Sequence, residues 1–288
     1  MRLIRYTDPA AFYAAAESFL AAHEAANCLI IGLTNVLIAR ADAYSDLPPY
    51  FALVYDDEGR IAAAALRTTQ RPLTVSYSDD PAAVALIADD VAALDPLMPG
   101  MGGPVAVART FAERWTTMTS AAHRIEVNER VYQCDQVTAP TGVPGRLRRA
   151  TPADQDALVD YILAFDWEAL RIKGEREPRV KWFNEGLDAD YRALYVWDDG
   201  GAVCLIGTSG ATPNGMRIGP VYTPPDKRGR GYASAATAAA AQAILDSGRT
   251  RAFLFTDLAN PTSNKIYQQV GFRPVIDFDQ IVFMPDPV

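Results

Sequence analysis

Apolar and polar positions along the chain switch between a period near two and a period near 3.6, and each switch marks an element boundary. Residues 3–6 read as a short strand. Thr7-Asp8-Pro9 then opens a helix, with Thr7 or Asp8 as cap and the alanine-rich stretch Ala10 to Ala26 behind it. Cys28 to Ala39 reads as a second helix. Tyr50 to Tyr55 and Arg60 to Thr68 read as strands joined by a hairpin turn at Asp56-Asp57-Glu58-Gly59, and Leu73 to Tyr77 as a third strand. A helix follows over Pro81 to Leu94 behind an Asp-Asp cap. Next come a Gly- and Pro-rich loop over Pro96 to Pro104, a helix over Val105 to Met118, and a long amphipathic strand over His123 to Val137.

The second half repeats this plan. Arg146 to Arg149 is a strand, and Thr151-Pro152-Ala153-Asp154 opens helical material that runs through Trp182 to Leu187. Strands follow at Ala193 to Trp197, Ala202 to Ala211 and Met216 to Tyr222, separated by turns at Asp198 to Gly201 and Pro213-Asn214-Gly215. Pro224 and Pro225 stop the last strand, since neither can donate to a ladder. A basic glycine loop and a long alanine-rich helix come next. Arg251 to Asp257 has the character of a buried parallel strand. Asn260 then caps a helix with Pro261 in its first turn and Gly271 at its end. Between the halves lies the breaker-rich linker 139–145, which divides the chain into domains at 1–138 and 146–288.

Composition narrows the class. At 288 residues the chain can bury two cores, and 49% apolar with 22% charged residues is the mix of a globular protein. No apolar run approaches the roughly 20 residues of a membrane span. The first residues lack a signal layout, so the expected compartment is the cytoplasm and no membrane partner is expected. Cys28, Cys134 and Cys204 suggest neither a disulfide framework nor a zinc cluster, and with only His23 and His123 no metal site is expected. A net charge of −8 argues against nucleic acid as a partner and weakly favours a cationic amine.

The chemistry concentrates at Lys227 to Ser234. Gly229 and Gly231 let the backbone turn sharply and approach a ligand, and the following helix points its unpaired N–H groups into the same loop. That combination makes a phosphate or pyrophosphate site. A P-loop is excluded, because no Gly-Lys-Ser/Thr triplet enters the helix. A dinucleotide fingerprint fits less well, with Ser234 where its third glycine belongs. The plain alternative is a solvated basic turn. Arg228-Gly-Arg-Gly-Tyr-Ala233 instead resembles the Q/R-x-x-G-x-G/A signature of the GNAT superfamily of acyl-CoA-dependent N-acyltransferases. Asn260, Tyr267 seven residues on, and the Gly271-Phe272 pair resemble a second motif of that family at its own spacing.

The resemblance implies an α+β fold, layered α/β/α. It also implies two tandem GNAT-like domains with mixed, mostly antiparallel sheets flanked by helices. The first would be a degenerate copy, since Ser78-Asp79-Asp80-Pro81 at its loop position is acidic and lacks glycine. An unrelated α/β domain in the first half stays open, as does a wall of the acceptor pocket supplied by it. The implied cosubstrate is acetyl-CoA, its arm on the backbone of Val221, Tyr222 and Thr223. Its pyrophosphate would lie on the N–H groups of Gly229, Arg230, Gly231, Tyr232, Ala233 and Ser234, with charge from Arg228 and Arg230. Asn260 and, less directly, Asn264 would contact the coenzyme; Asn260 also serves as a cap. Tyr267 matches the family's general acid, or else a tyrosine that packs beside the sulfur.

The general base is left open. The family's usual Glu position holds Phe255, and Asp257, Asp166, Glu168 or a water remain as candidates. Tyr161 to Glu185, with Phe165, Trp167, Trp182 and Phe183, should face a small-molecule amine acceptor, though these aromatics fit a core equally well. The expected activity is N-acetyl transfer to a primary amine of a small molecule or an amino-terminal group. A non-catalytic acyl-CoA sensor and a nucleotide-binding module are the rivals, and a homodimer is compatible with the sequence.

Overall fold

The structure, a computed structural model, describes residues 1–45, 47–69, 71–170 and 172–284. Residues 285–288 of the expected second domain and position 171 of the acceptor segment lie outside the described residues. In chain order the first half holds β1 (Arg2–Tyr6), α1 (Pro9–Ala22), α2 (Glu24–Ala39), β2 (Tyr50–Tyr55), β3 (Ile61–Arg67), β4 (Leu73–Val75) and α3 (Pro81–Leu94). It continues with β5 (Gly100–Pro104), α4 (Val105–Thr119) and β6 (Ala122–Cys134). The second half holds β7 (Arg146–Arg149), α5 (Gln155–Leu170), α6 (Arg176–Asp188), β8 (Arg192–Asp198), β9 (Ala202–Ser209) and β10 (Gly215–Tyr222). It ends with α7 (Tyr232–Asp246), β11 (Arg251–Asp257), α8 (Pro261–Val270) and β12 (Arg273–Met284).

Two compact units result, and neither is continuous in sequence. Unit one takes Met1–Val131, Phe255–Ala259 and the strand from Pro274 onward; unit two takes Tyr132–Leu254 and Asn260–Arg273. In unit one β1, β2, β3 and β4 pair antiparallel in turn, and β4 runs parallel to β5. β5 then pairs antiparallel with β12, from Phe278 opposite Pro104 to Val282 opposite Gly100. Side chains alternate across this sheet. Phe51, Leu53, Ala64 and Leu66 meet Phe12, Leu20 and Ile31 of α1 and α2 on one face, while Val54, Ala63 and Ala65 meet Val84, Ile87, Phe111 and Trp115 of α3 and α4 on the other.

Unit two repeats the layering. β7, β8, β9 and β10 pair antiparallel, and β10 runs parallel to β11. Leu158, Val159, Ile162 and Phe183 of α5 and α6 pack on Leu194, Val196, Leu205 and Tyr222. The alanines of α7, with Tyr267 and Val270 of α8, pack on Cys204, Ile206, Ile218, Ala252 and Leu254. The fold is α+β, with α/β/α layers and a mixed, mostly antiparallel sheet.

Four expectations need correction. Pro96 to Pro104 is not all loop: Gly100–Pro104 is β5, held by strands remote in sequence. Glycine is required there, since a Cβ on Gly100 would lie 2.1 Å from the Ile281 carbonyl oxygen. The helix expected through Ala26 breaks at His23, and the Asn27 amide takes up the freed Leu20 carbonyl at 3.0 Å. The strand from Leu73 ends at Val75, because the Tyr77 N–H turns away to the Asn27 side-chain oxygen (2.8 Å). β12 had no counterpart in the sequence reading; its partners, too, are distant in the chain.

Candidate active site

α7 begins on a left-handed glycine; α2, α4 and α6 also start without a side-chain cap, but on His23, Pro104 and Glu175. The chain leaves β10, passes Pro224 and Pro225, and turns through Gly229 and Gly231 at φ 77° and 80°, where an L side chain is strained. Gly231 is the N-cap of α7 and has no side chain to offer, while its carbonyl accepts from the Ala235 N–H at 3.0 Å. The N–H groups of Tyr232, Ala233 and Ser234 are therefore the first-turn donors without a side-chain cap, carrying the positive end of a 15-residue helix. Asp8, Asp80 and Asn260 do cap α1, α3 and α8 with side-chain oxygens. Asp80 stands at the loop position of the first half, where the sequence showed acid in place of glycine.

β10 bulges just past the end of its ladder with β11 and stays paired with β9 through Tyr222. Its antiparallel ladder with β9 shifts register between Ile218 and Val221, a bulge that contains the cis Gly219-Pro220 peptide. Gly207 of β9 makes room, since a Cβ there would sit 2.8 Å from the Gly219 carbonyl oxygen. The parallel ladder with β11 covers only Gly215 to Arg217. Val221, Tyr222 and Thr223 thus lie beyond that ladder, on the edge expected to splay. The sequence reading missed the bulge. A Gly-Pro pair inside a strand pattern was the available signal.

Tyr267 comes from α8, 8% exposed, its ring 6.4 Å from Tyr132 and 6.1 Å from Phe272. Burial pushes its phenol up to about 12; nearby Cys204 adds to this and a hydrogen bond with the Ser263 side chain opposes it. Burial likewise raises the Cys204 thiol to about 11, against the Thr223 side chain and the Tyr222 backbone. Cys204 and Tyr267 lie in the same apolar core. The phenol stays protonated well above neutrality, but burial makes it a weaker acid than an ordinary tyrosine, so it can give its proton to a thiolate only in close contact. At the start of α8 the Asn260 side-chain oxygen accepts from the Ser263 N–H (3.0 Å), so its capping role is realised. The Asn264 amide donates to the Asn260 carbonyl (2.8 Å) and accepts from the Tyr132 hydroxyl (3.1 Å).

The loop side chains are held individually. The Tyr232 ring is buried and its hydroxyl donates to Asp199 at 2.5 Å; Arg230 of the loop also hydrogen-bonds to this hydroxyl. Arg228 donates from Nε to the Thr223 carbonyl (2.8 Å) and from Nη2 to Glu168 Oε2 (2.6 Å), and lies over the Tyr222 ring at 5.5 Å. Tyr222 donates to the other Glu168 oxygen at 2.7 Å. Of the other acids, Asp166 is buried against Arg179 (2.6 Å), and Asp257 accepts from the Ala259 N–H (2.7 Å). Phe255 packs edge-on against Phe278, centroids 5.3 Å apart. Among the acceptor-side aromatics Phe183 is core, Phe165 and Trp182 are partly buried, and Trp167 is 57% exposed. Among the described residues no cluster of His, Cys, Asp or Glu could hold a metal, and no helix is long and apolar enough to cross a membrane.

Fold and loop together define the class: two layered α+β units, the second carrying an uncapped helix N-terminus behind a splayed strand. Comparison with known proteins agrees. Residues 159–272 match the acetyltransferase (GNAT) family model. A GCN5-related N-acetyltransferase from Sphaerobacter thermophilus aligns over 99% of this chain and 96% of its own, at 20% identity and a TM-score of 0.60. A tandem GNAT protein from the clavulanic acid biosynthesis pathway aligns over 100% and 99%, at 14% identity and 0.59. A Drosophila protein aligns over 99% of both chains, at 12% identity and 0.69. At these identities the structures speak for the fold, a tandem GNAT fold. The sequence has no significant match among curated proteins. The 159–272 segment is thus similar to the GNAT acetyltransferase family, whose activity is acyl transfer from acyl-CoA.

Proposed function

We propose that unit two is an N-acetyltransferase that takes acetyl-CoA and passes the acetyl group directly to a primary amine of a small molecule or an amino terminus. The observation that carries this reading is the uncapped start of α7 behind two left-handed glycines. Its residues fit a diphosphate: first-turn N–H donors from Tyr232 to Ser234 without a side-chain cap, no Cβ at Gly229 or Gly231, and Arg228 and Arg230 for charge. Backbone groups of Val221, Tyr222 and Thr223 would receive the pantetheine arm, and one such donor aimed at a developing oxyanion is worth roughly 3 kcal/mol of barrier. Asn260 and Asn264 would flank it. Bound there, the coenzyme supplies the activated thioester.

Tyr267 then holds the proton that the departing sulfur needs, and its raised pKa keeps that proton in place at neutral pH. The acceptor's proton leaves to Glu168, Asp257 or a water, since Asp166 is committed to Arg179. A second reading, acyl-CoA binding without turnover, draws on Phe255, a ring packed on Phe278 where the family often carries its base. Incubation with acetyl-CoA and an amine panel, followed by thiol release, separates the two. Binding without release for every amine leaves the second; no calorimetric heat with coenzyme A from folded protein removes both.

A further inference from the structure

The following rests on the reading of 228–234 as a phosphate loop and concerns how that loop is kept before coenzyme arrives. Glu168 lies near the C-terminal end of α5, a different element from the loop, yet its two oxygens take the Tyr222 hydroxyl (2.7 Å) and Arg228 Nη2 (2.6 Å). Arg228 Nε is spent on the Thr223 carbonyl at 2.8 Å. The guanidinium is therefore drawn back along β10 toward α5, although Arg228 stands directly before Gly229, where the loop begins. A guanidinium binds phosphate through paired N–H groups, and Nη2 cannot serve Glu168 and a diphosphate with the same hydrogen. The Arg228 and Glu168 side chains are 47% and 41% exposed, so the pair can open without a buried charge being stranded.

We propose that Glu168 is a positioning residue that latches Arg228, and that coenzyme binding moves the guanidinium from this carboxylate to the diphosphate. The latch opposes coenzyme binding, because part of the attraction between Arg228 and the phosphates is used to break the existing pair.

The test is a double-mutant cycle on the full chain, read as the calorimetric Kd for coenzyme A. Glu168→Gln keeps the shape and the Tyr222 contact but removes the charge; it should tighten binding about two- to fivefold, the scale of a half-exposed ion pair. Glu168→Ala should shift it the same way. In an Arg228→Gln background the same change should have no effect. Unchanged or weaker binding in Glu168→Gln overturns the latch while leaving the phosphate loop standing. Equal tightening with and without Arg228 also overturns it, since that is bulk repulsion between a carboxylate and phosphates. Silence toward coenzyme A in wild type and variants alike removes the phosphate loop and the latch with it.

Discussion

Asp80 and Gly231 stand at the same step of two matching strand–loop–helix runs and leave the helix behind them in opposite electrostatic states. Asp80 Oδ1 accepts from the N–H groups of Ala82 (2.9 Å) and Ala83 (3.2 Å), so the start of α3 already holds a negative charge of its own. Gly231 offers α7 its carbonyl but no side chain, and the first-turn N–H groups of that helix have no side-chain cap. Gly231→Asp should therefore convert the second loop into a copy of the first. Asp tolerates the left-handed region better than most residues, and its Cβ would press only on a Val143 methyl at 2.9 Å. Coenzyme A affinity should fall at least about tenfold, or ~1.4 kcal/mol by calorimetry. Unchanged affinity in a folded variant would take the α7 N-terminus out of the site.

Tyr267→Phe removes the phenolic proton and keeps the ring between Tyr132 and Phe272. A general acid contributes roughly a hundredfold or more, so kcat should drop by about that factor while coenzyme affinity stays within about twofold. Burial holds the phenol near 12, so the wild-type rate should show no alkaline fall from this group below about pH 11. An equal rate in the variant assigns Tyr267 to packing.

Arg148 joins three pieces of unit two: it donates to both oxygens of Asp154 (2.8 Å each) and to Asp198 (2.6 Å). The Arg148 hydrogen bond lowers Asp154 from 3.8 to about 2, against some desolvation and with help from Thr151. A depressed carboxylate stabilises the fold above its unfolded pKa, and that contribution fades as pH falls through the folded value. The stability gap between wild type and Asp154→Asn should be full above about pH 4, shrink between about 4 and 2, and close below. Urea melts across that range measure it, and a gap independent of pH would refute the assignment.

Phe283 of β12 is 6% exposed and stacks on Trp115 at 4.9 Å, in the core of unit one. Phe283→Ala should cost about 3–5 kcal/mol in denaturant unfolding. The sequence boundary at 1–138 omits this strand, so a chain cut there should expose the β5 edge and aggregate or unfold. A soluble, cooperatively melting 1–138 fragment would contradict the pairing of β5 with β12.

Local chemistry was legible without coordinates. Gly229 and Gly231 imply left-handed backbone, Asp80 and Asn260 imply caps, and the β11 pattern implies burial on both faces; each is decided by residues within a few positions of one another. The sequence by itself thus determined the strand–loop–helix units, the layered α+β class and the location of the glycine loop. The tertiary structure alone decided the rest. β5 is a strand because β4 and β12 supply its hydrogen bonds, Asp166 is unavailable because Arg179 neutralises it, and Glu168 meets Arg228 from 60 residues away. A glycine-rich run or a lone carboxylate carries no local sign of its partner. Hydrogen bonds and ion pairs are satisfied by whatever the fold brings within about 3 Å, and that proximity is not written at either position.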